Sequence, residues 1–139
     1  MRRGHEFETW LGRLQNYLLS IGVHMHKNYP RRSIDGTFIS GEPFDYLAIR
    51  DGETHCFDAK ECEGKRWSLK NAKFEQVDAL CRCAKNGAQA YFLVLFKPDR
   101  IVRFDAEQVK AALVEGKKSL GPEEGRGWDW IGSNRSKSA

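Results

Sequence analysis

FDYLAIRDGETHCFDAKE, residues 44–61, reads as two strands folded back on each other. Asp51-Gly52 sits between two runs of alternating character. That dipeptide favours a type I′ hairpin turn, because both central positions need a positive φ. The strands then cover 44–49 and 54–60. With Asp51 and Gly52 as the loop, Arg50 faces Glu53, Ile49 faces Thr54, Leu47 faces Cys56, and Asp45 faces Asp58. Opposed residues project from one face with Cβ atoms ~5 Å apart. Lys60, two residues beyond Asp58, shares that face. Register thus gathers two carboxylates and an ammonium, and a slip of one residue would scatter them.

Opposed like charges destabilise a strand pair, so two acids here call for something positive between them. Lys60 serves in part, and a divalent cation serves better. Mg²⁺ typically takes one or two carboxylates and keeps several waters. A metal-bound water positioned by a lysine is the equipment for in-line attack on a phosphodiester. The competing reading is a surface ion pair on an exposed sheet face.

Upstream, apolar residues fall at Phe7, Trp10, Leu11, Leu14, Leu18 and Ile21, which is helical spacing closed by Gly22. Residues 23–29 alternate as a strand, and Pro30 ends it. The polar, basic stretch PRRSIDGTFISGE reads as a flexible loop or short hairpin.

Downstream, ECEGKRW is a second basic loop, followed by a helix over 69–85 closed by Asn86-Gly87. AYFLVLF, 90–96, is apolar enough for a strand covered on both faces. A short strand over 101–104 follows. Asp105-x-x-Gln108 then reads as a capping box opening a helix to about residue 114. The order αβββαββα suggests one mixed sheet flanked by helices, an α/β fold. The expected division is a domain over 1–116 and a polar tail over 117–139, partly docked by Trp128, Trp130 and Ile131 or flexible.

With 139 residues, 40% hydrophobic and 30% charged, the chain suits one soluble globular domain. No apolar run approaches the ~20 residues that span a bilayer, and MRRGHEFETW lacks the apolar centre of a signal peptide. The expected location is the cytoplasm. A net charge of +4 permits a nucleic-acid partner without requiring one. Cysteines at 56, 62, 81 and 83 do not match the common zinc spacings and read as buried or neutral thiols. His24 and His26 share a strand face, and a DNA-facing or surface role suits them better than metal beside a carboxylate site. Arg31, Arg32, Lys65 and Arg66 lie in the loops flanking the motif strands, as phosphate contacts or as solvated loop residues. Lys73, in the Lys70–Lys73 cluster, joins them as a DNA-binding candidate. Trp67 reads as a core anchor for the following helix, with stacking on a base as the alternative.

Pro43-Phe44-Asp45 followed by Asp58-Ala59-Lys60 resembles the acid, gap, acid-x-Lys pattern of the PD-(D/E)xK nuclease superfamily. Arg3-Gly4, Phe7-Glu8 and Asn16-Tyr17 resemble the opening helix of RecU-type Holliday-junction resolvases, and FDAKE with SLKNAKFEQVDAL resembles their motif strand and next helix. The likeness runs over about residues 3–114. It implies a restriction-endonuclease-like core and a homodimeric, Mg²⁺-dependent endonuclease, with Mn²⁺ as a possible substitute, that nicks four-way DNA junctions symmetrically. The alternatives are a less selective DNA nickase or end-trimming nuclease, and a catalytically silent DNA-binding module.

By the same resemblance Asp45 and Asp58 are metal-binding acids, and Glu8 completes the metal site from the first helix. Lys60 positions the attacking water and steadies charge at phosphorus, and Gln76 holds the water or a substrate phosphate. On residues alone, Glu8 is equally a first-turn acid favoured by the helix dipole, and Gln76 an ordinary polar helix residue. The chain departs from the family pattern in Asp58, where many relatives carry Glu, and in a 30–43 segment shorter than the family's stalk.

Overall fold

The computed structural model describes residues 5–28, 31–32, 38–39, 44–128 and 130. Helix α1, His5–Ser20, leads into strand β1, His24–Lys27. A short hairpin, β2 (Arg31–Arg32) and β3 (Phe38–Ile39), precedes β4, Tyr46–Arg50, and the long β5, Glu53–Cys62. After β6, Trp67–Ser68, come α2 (Phe74–Lys85), β7 (Gln89–Phe96), β8 (Arg100–Asp105) and α3 (Ala106–Val114). Two further strands, β9 (Ser119–Leu120) and β10 (Arg126–Gly127), follow.

The main sheet has the order β1-β4-β5-β7-β8-β10. It is mixed: β5 and β7 run parallel across the α2 crossover, and the other pairs are antiparallel. The hairpin register is the one read from the sequence, with Ile49 opposite Thr54 and Leu47 opposite Cys56. Asp51 and Gly52 take φ of 53° and 79°, as a type I′ turn requires.

Helices cover both faces, so β7 is buried along nearly its whole length. On one face α1 packs Phe7, Leu11, Leu14 and Leu18 against Tyr46, Phe57, Tyr91 and Leu93. On the other, α2 and α3 pack Val77, Leu80 and Val109 against Phe92, Val94 and Phe104. Each such side chain stabilises the fold by roughly 1.5–3 kcal/mol relative to exposure. Ile21 departs from the predicted helix face: it is exposed. The helix has already ended there, with Gly22 at φ 90° and Val23 N–H bonded back to Leu18 O at 2.8 Å.

Three other expectations change. The helix predicted over 69–85 is broken: Leu69–Asn71 form a 3-10 turn, Ala72 and Lys73 are extended, and α2 starts at Phe74. The Asp105 capping box does not form. The Asp105 carboxylate accepts from Arg103 and Arg126, and Gln108 donates to Glu124 O, because charged partners outcompete a neutral backbone N–H. Residues 117–128 and Trp130 continue within the fold, and Ile131 lies outside the described residues. β9 pairs with β6, β10 forms the edge of the main sheet, and Trp128 and Trp130 are buried in the α1-side core. Trp67 is fully buried and stacks on Phe104 with ring centres 5.6 Å apart, so it anchors the core. Among the described residues no helix is long and apolar enough to cross a membrane.

Candidate active site

β5 alternates faces, so Cys56 and Cys62 enter the α2–α3 core while Asp58 and Lys60, on that same face, open into a cleft of about 370 Å³. Glu8, Asp45, Lys70, Asn71, Lys73 and Gln76 also line it. Five sequence-derived site residues and Lys73 therefore meet in one place, although they come from α1, the start of the hairpin, β5 and the entry to α2.

Asp45 lies one step beyond the last ladder pair, Tyr46–Phe57. Its Oδ2 accepts from Ala59 N–H at 3.0 Å, and its own carbonyl accepts from Asn28 N–H at 2.7 Å. Asn28 also donates to Phe44 O, so the end of β1 clamps the backbone on which Asp45 sits.

Asp58 is 1% exposed. Lys60 Nζ pairs with its Oδ2 at 2.9 Å, and the Asp45 carboxyl lies beside it. Burial, and then the neighbouring Asp45 charge, push the Asp58 carboxyl up to about 7, with Lys60 pulling the other way. Two crowded carboxyls, one of them buried, are costly to keep ionised together, and this is the arrangement a cation would relieve.

Lys60 Nζ donates to Gln76 Oε1 at 3.1 Å, and the same oxygen accepts from Lys73 N–H at 3.4 Å. Gln76 thus caps the first turn of α2 while orienting the lysine. An ammonium has three donors; with Asp58 and Gln76 beside it, at least one remains for a water or a phosphate oxygen in the cleft.

Glu8 stands at the rim, where its Oε1 pairs with Lys27 Nζ at 2.9 Å. Among the described residues no three acids, histidines or cysteines gather closely enough to form a metal cage. The donor set suits Mg²⁺ nonetheless, since two carboxylates supplemented by waters meet its usual demand. The α1 backbone that carries Glu8 is tied to β5 by Glu61, whose Oε2 accepts from Phe7 N–H at 2.7 Å and whose Oε1 pairs with Lys97 at 3.0 Å.

The expected DNA contacts divide. Lys73 borders the cleft, and Lys65 is exposed on the 63–66 bend. Arg66 points elsewhere: it bonds Ser119 and pairs with Glu124 at 3.0 Å and Glu123 at 3.6 Å, which commits it to the β6–β9 side. The side chains of Arg31 and Arg32, and all of Arg3, Gly4 and Pro43, lie outside the described residues. His24 and His26 are exposed on β1, and of the cysteines Cys56, Cys62 and Cys81 are buried and in no disulfide. Sequence reasoning did not single out Lys70, Asn71, Asn28 or Glu61. Lys70 is legible only as part of a basic cluster, and the other three carry no local signal.

No curated protein matches the chain. Among solved structures, the chain resembles Hjc from Archaeoglobus fulgidus, a Holliday junction resolvase from an archaeal hyperthermophile. The TM-score is 0.55 at 17% identity, covering 86% of this chain and 94% of that one. That likeness establishes the α/β, restriction-endonuclease-like fold. The family RecU, recombination protein U, matches residues 13–124, which is most of the sequence, and the chain belongs to the RecU family.

Proposed function

We propose that the Asp58 cleft is the cutting site of this Holliday-junction resolvase, and that it hydrolyses DNA phosphodiesters with Mg²⁺, or Mn²⁺ in its place. The observation that carries this reading is Asp58 itself: 1% exposed, crowded by the Asp45 carboxyl, and faced by Lys60 at 2.9 Å. Asp45 and Asp58 would hold the cation through their carboxylates. Glu8 would join them through a water or after leaving Lys27. When bound, such a cation lowers the pKa of a coordinated water and neutralises charge developing on the phosphate.

The remaining chemistry belongs to the chain. Lys60 Nζ, oriented by Gln76 Oε1, donates to the attacking water and then to the phosphate oxygens as their charge grows. Lys70 and Lys73, on the cleft rim, hold the backbone phosphates on either side. Lys65 reaches the flanking duplex from its bend, and Arg31 and Arg32 are proposed to do so from the β2–β3 hairpin. Two symmetric nicks in a four-way junction call for two sites related by a two-fold axis, so the working form is a homodimer.

The test is cleavage of a labelled four-way junction and of matched linear duplex, each with Mg²⁺ and with EDTA. Paired nicks in the junction alone, abolished by EDTA and by Asp58→Asn, are expected. Equal cutting of both substrates would remove the junction selectivity, and cutting by Asp58→Asn would remove the site.

A further inference from the structure

Glu61 follows Lys60 on β5 and turns to the other side of the strand, toward the start of α1. Its side chain is 5% exposed, and both oxygens are engaged: Oε2 accepts from Phe7 N–H at 2.7 Å, and Oε1 pairs with Lys97 Nζ at 3.0 Å. Lys97 is itself fixed beside β5, because its N–H donates to Cys62 O at 3.0 Å, and its Nζ lies 3.6 Å from Glu6 Oε1. Burying a carboxylate this deeply is costly unless it is paired, so Glu61 calls for a reason beyond packing.

α1 supplies that reason. The first four N–H groups of a helix have no partner within it, and a Ser, Thr, Asp or Asn at the N-terminus commonly takes one. The residues before Glu6, MRRGH, include none of these. The acceptor comes instead from a strand residue 54 positions further along the chain. A local cap would stabilise α1 without fixing where it sits, whereas this one ties its first turn to one point of β5. Glu8 is the residue after Phe7, and Asp58 lies three residues before Glu61. One hydrogen bond therefore sets how far the Glu8 backbone stands from Asp58, while the Glu8 side chain is 42% exposed and pairs with Lys27 at the rim.

We propose that Glu61 is a positioning residue that sets the cation affinity of the cleft by holding Glu8 within reach of it, with Lys97 keeping Glu61 in place. The inference rests on the metal-dependent reading above and deepens it. Glu61 borders the cleft, but with its oxygens committed to Phe7 and Lys97 it acts through α1 and not as a ligand.

The test is calorimetric titration of the DNA-free protein with Mn²⁺, with circular dichroism melts to verify folding. Glu61→Ala should stay folded and bind Mn²⁺ about tenfold more weakly. Glu61→Gln, which keeps an oxygen for Phe7 N–H, should recover much of that loss. In a Glu8→Ala background Glu61→Ala should weaken binding no further, because its effect passes through Glu8. A folded Glu61→Ala with wild-type affinity would overturn the inference. So would an equal loss in the Glu8→Ala background, which would mark a general structural role. Should Glu61→Ala fail to fold, Lys97→Met carries the same comparison: weaker binding in the wild-type background and no further change in Glu8→Ala support the inference, and unchanged affinity overturns it. Mn²⁺ binding that survives Asp58→Asn undiminished would remove the cutting-site reading and this inference with it. Binding that needs Asp58 but ignores Glu61 would remove this inference alone.

Discussion

Asp58→Asn should destroy cleavage and at the same time make the metal-free protein more stable at alkaline pH. The carboxyl titrates at about 7 in the fold against 3.8 for an ordinary Asp. One decade in an ionisation constant corresponds to about 1.4 kcal/mol, so ionised Asp58 opposes folding by about 4 kcal/mol at pH 8. Asparagine removes that charge, and the attraction of Lys60 at 2.9 Å is already contained in the shift. The expected gain is about 4 kcal/mol, or a rise of about 2 M in the urea midpoint for a slope near 2 kcal/mol per M.

The sign follows from the direction of the shift. A carboxyl raised in the fold contributes stability that is fully present below 3.8 and lost as pH rises through about 7. The advantage of Asp58→Asn should therefore be absent near pH 4 and complete by pH 8. Urea titrations of both proteins in EDTA at several pH values measure it, and Mg²⁺ should then raise the wild-type midpoint but not that of the variant. An Asp58→Asn protein less stable than wild type at pH 8, or an advantage that ignores pH, would show that Asp58 is not held against its own charge.

Lys60→Met should lower junction cleavage by at least 100-fold with binding nearly intact, measured by single-turnover nicking and gel shift; Gln76→Ala should lower it less, because it only loosens Lys60. His55, buried and set against the Tyr91 hydroxyl at 3.0 Å, is pulled down to about 4, chiefly by burial and then by Arg103. Its contribution to stability is present above 6.5 and lost as pH falls through about 4, a change of about 3 kcal/mol. This slope opposes that of Asp58, so it should appear in denaturation of Asp58→Asn and vanish in Asp58→Asn/His55→Gln. A Cβ on Gly125 would meet Val102 Cγ1 at 2.4 Å and Arg103 O at 2.7 Å. Gly125→Ala should therefore destabilise the chain by about 1–3 kcal/mol; an unchanged melting curve would mean that the β10 edge contributes little to the fold.

Local physics made much of this protein readable from its sequence. Asp51-Gly52 favours a tight two-residue turn, and that turn sets the register, so the sequence alone gathers Asp45, Asp58 and Lys60 on one face. The apolar run at 90–96 required cover on both sides and received it. The resemblance carried Glu8 and Gln76 to the cleft, which no periodicity in α1 or α2 could have done.

What only the tertiary structure decided are interactions between segments distant in sequence, whose energies no local pattern encodes. Arg103 and Arg126 drew Asp105 away from its cap, and Arg66 pairs with Glu123 and Glu124. Lys27 holds Glu8 at the rim, and the break at Ala72–Lys73 sets Lys70, Asn71 and Lys73 around the cleft. The segment after residue 116 reads as a polar tail because its few apolar residues are far apart. Its strands exist only because β6 and β8 offer unpaired edges, and its tryptophans pack against Phe57, His55 and Tyr91 from strands far earlier in the chain.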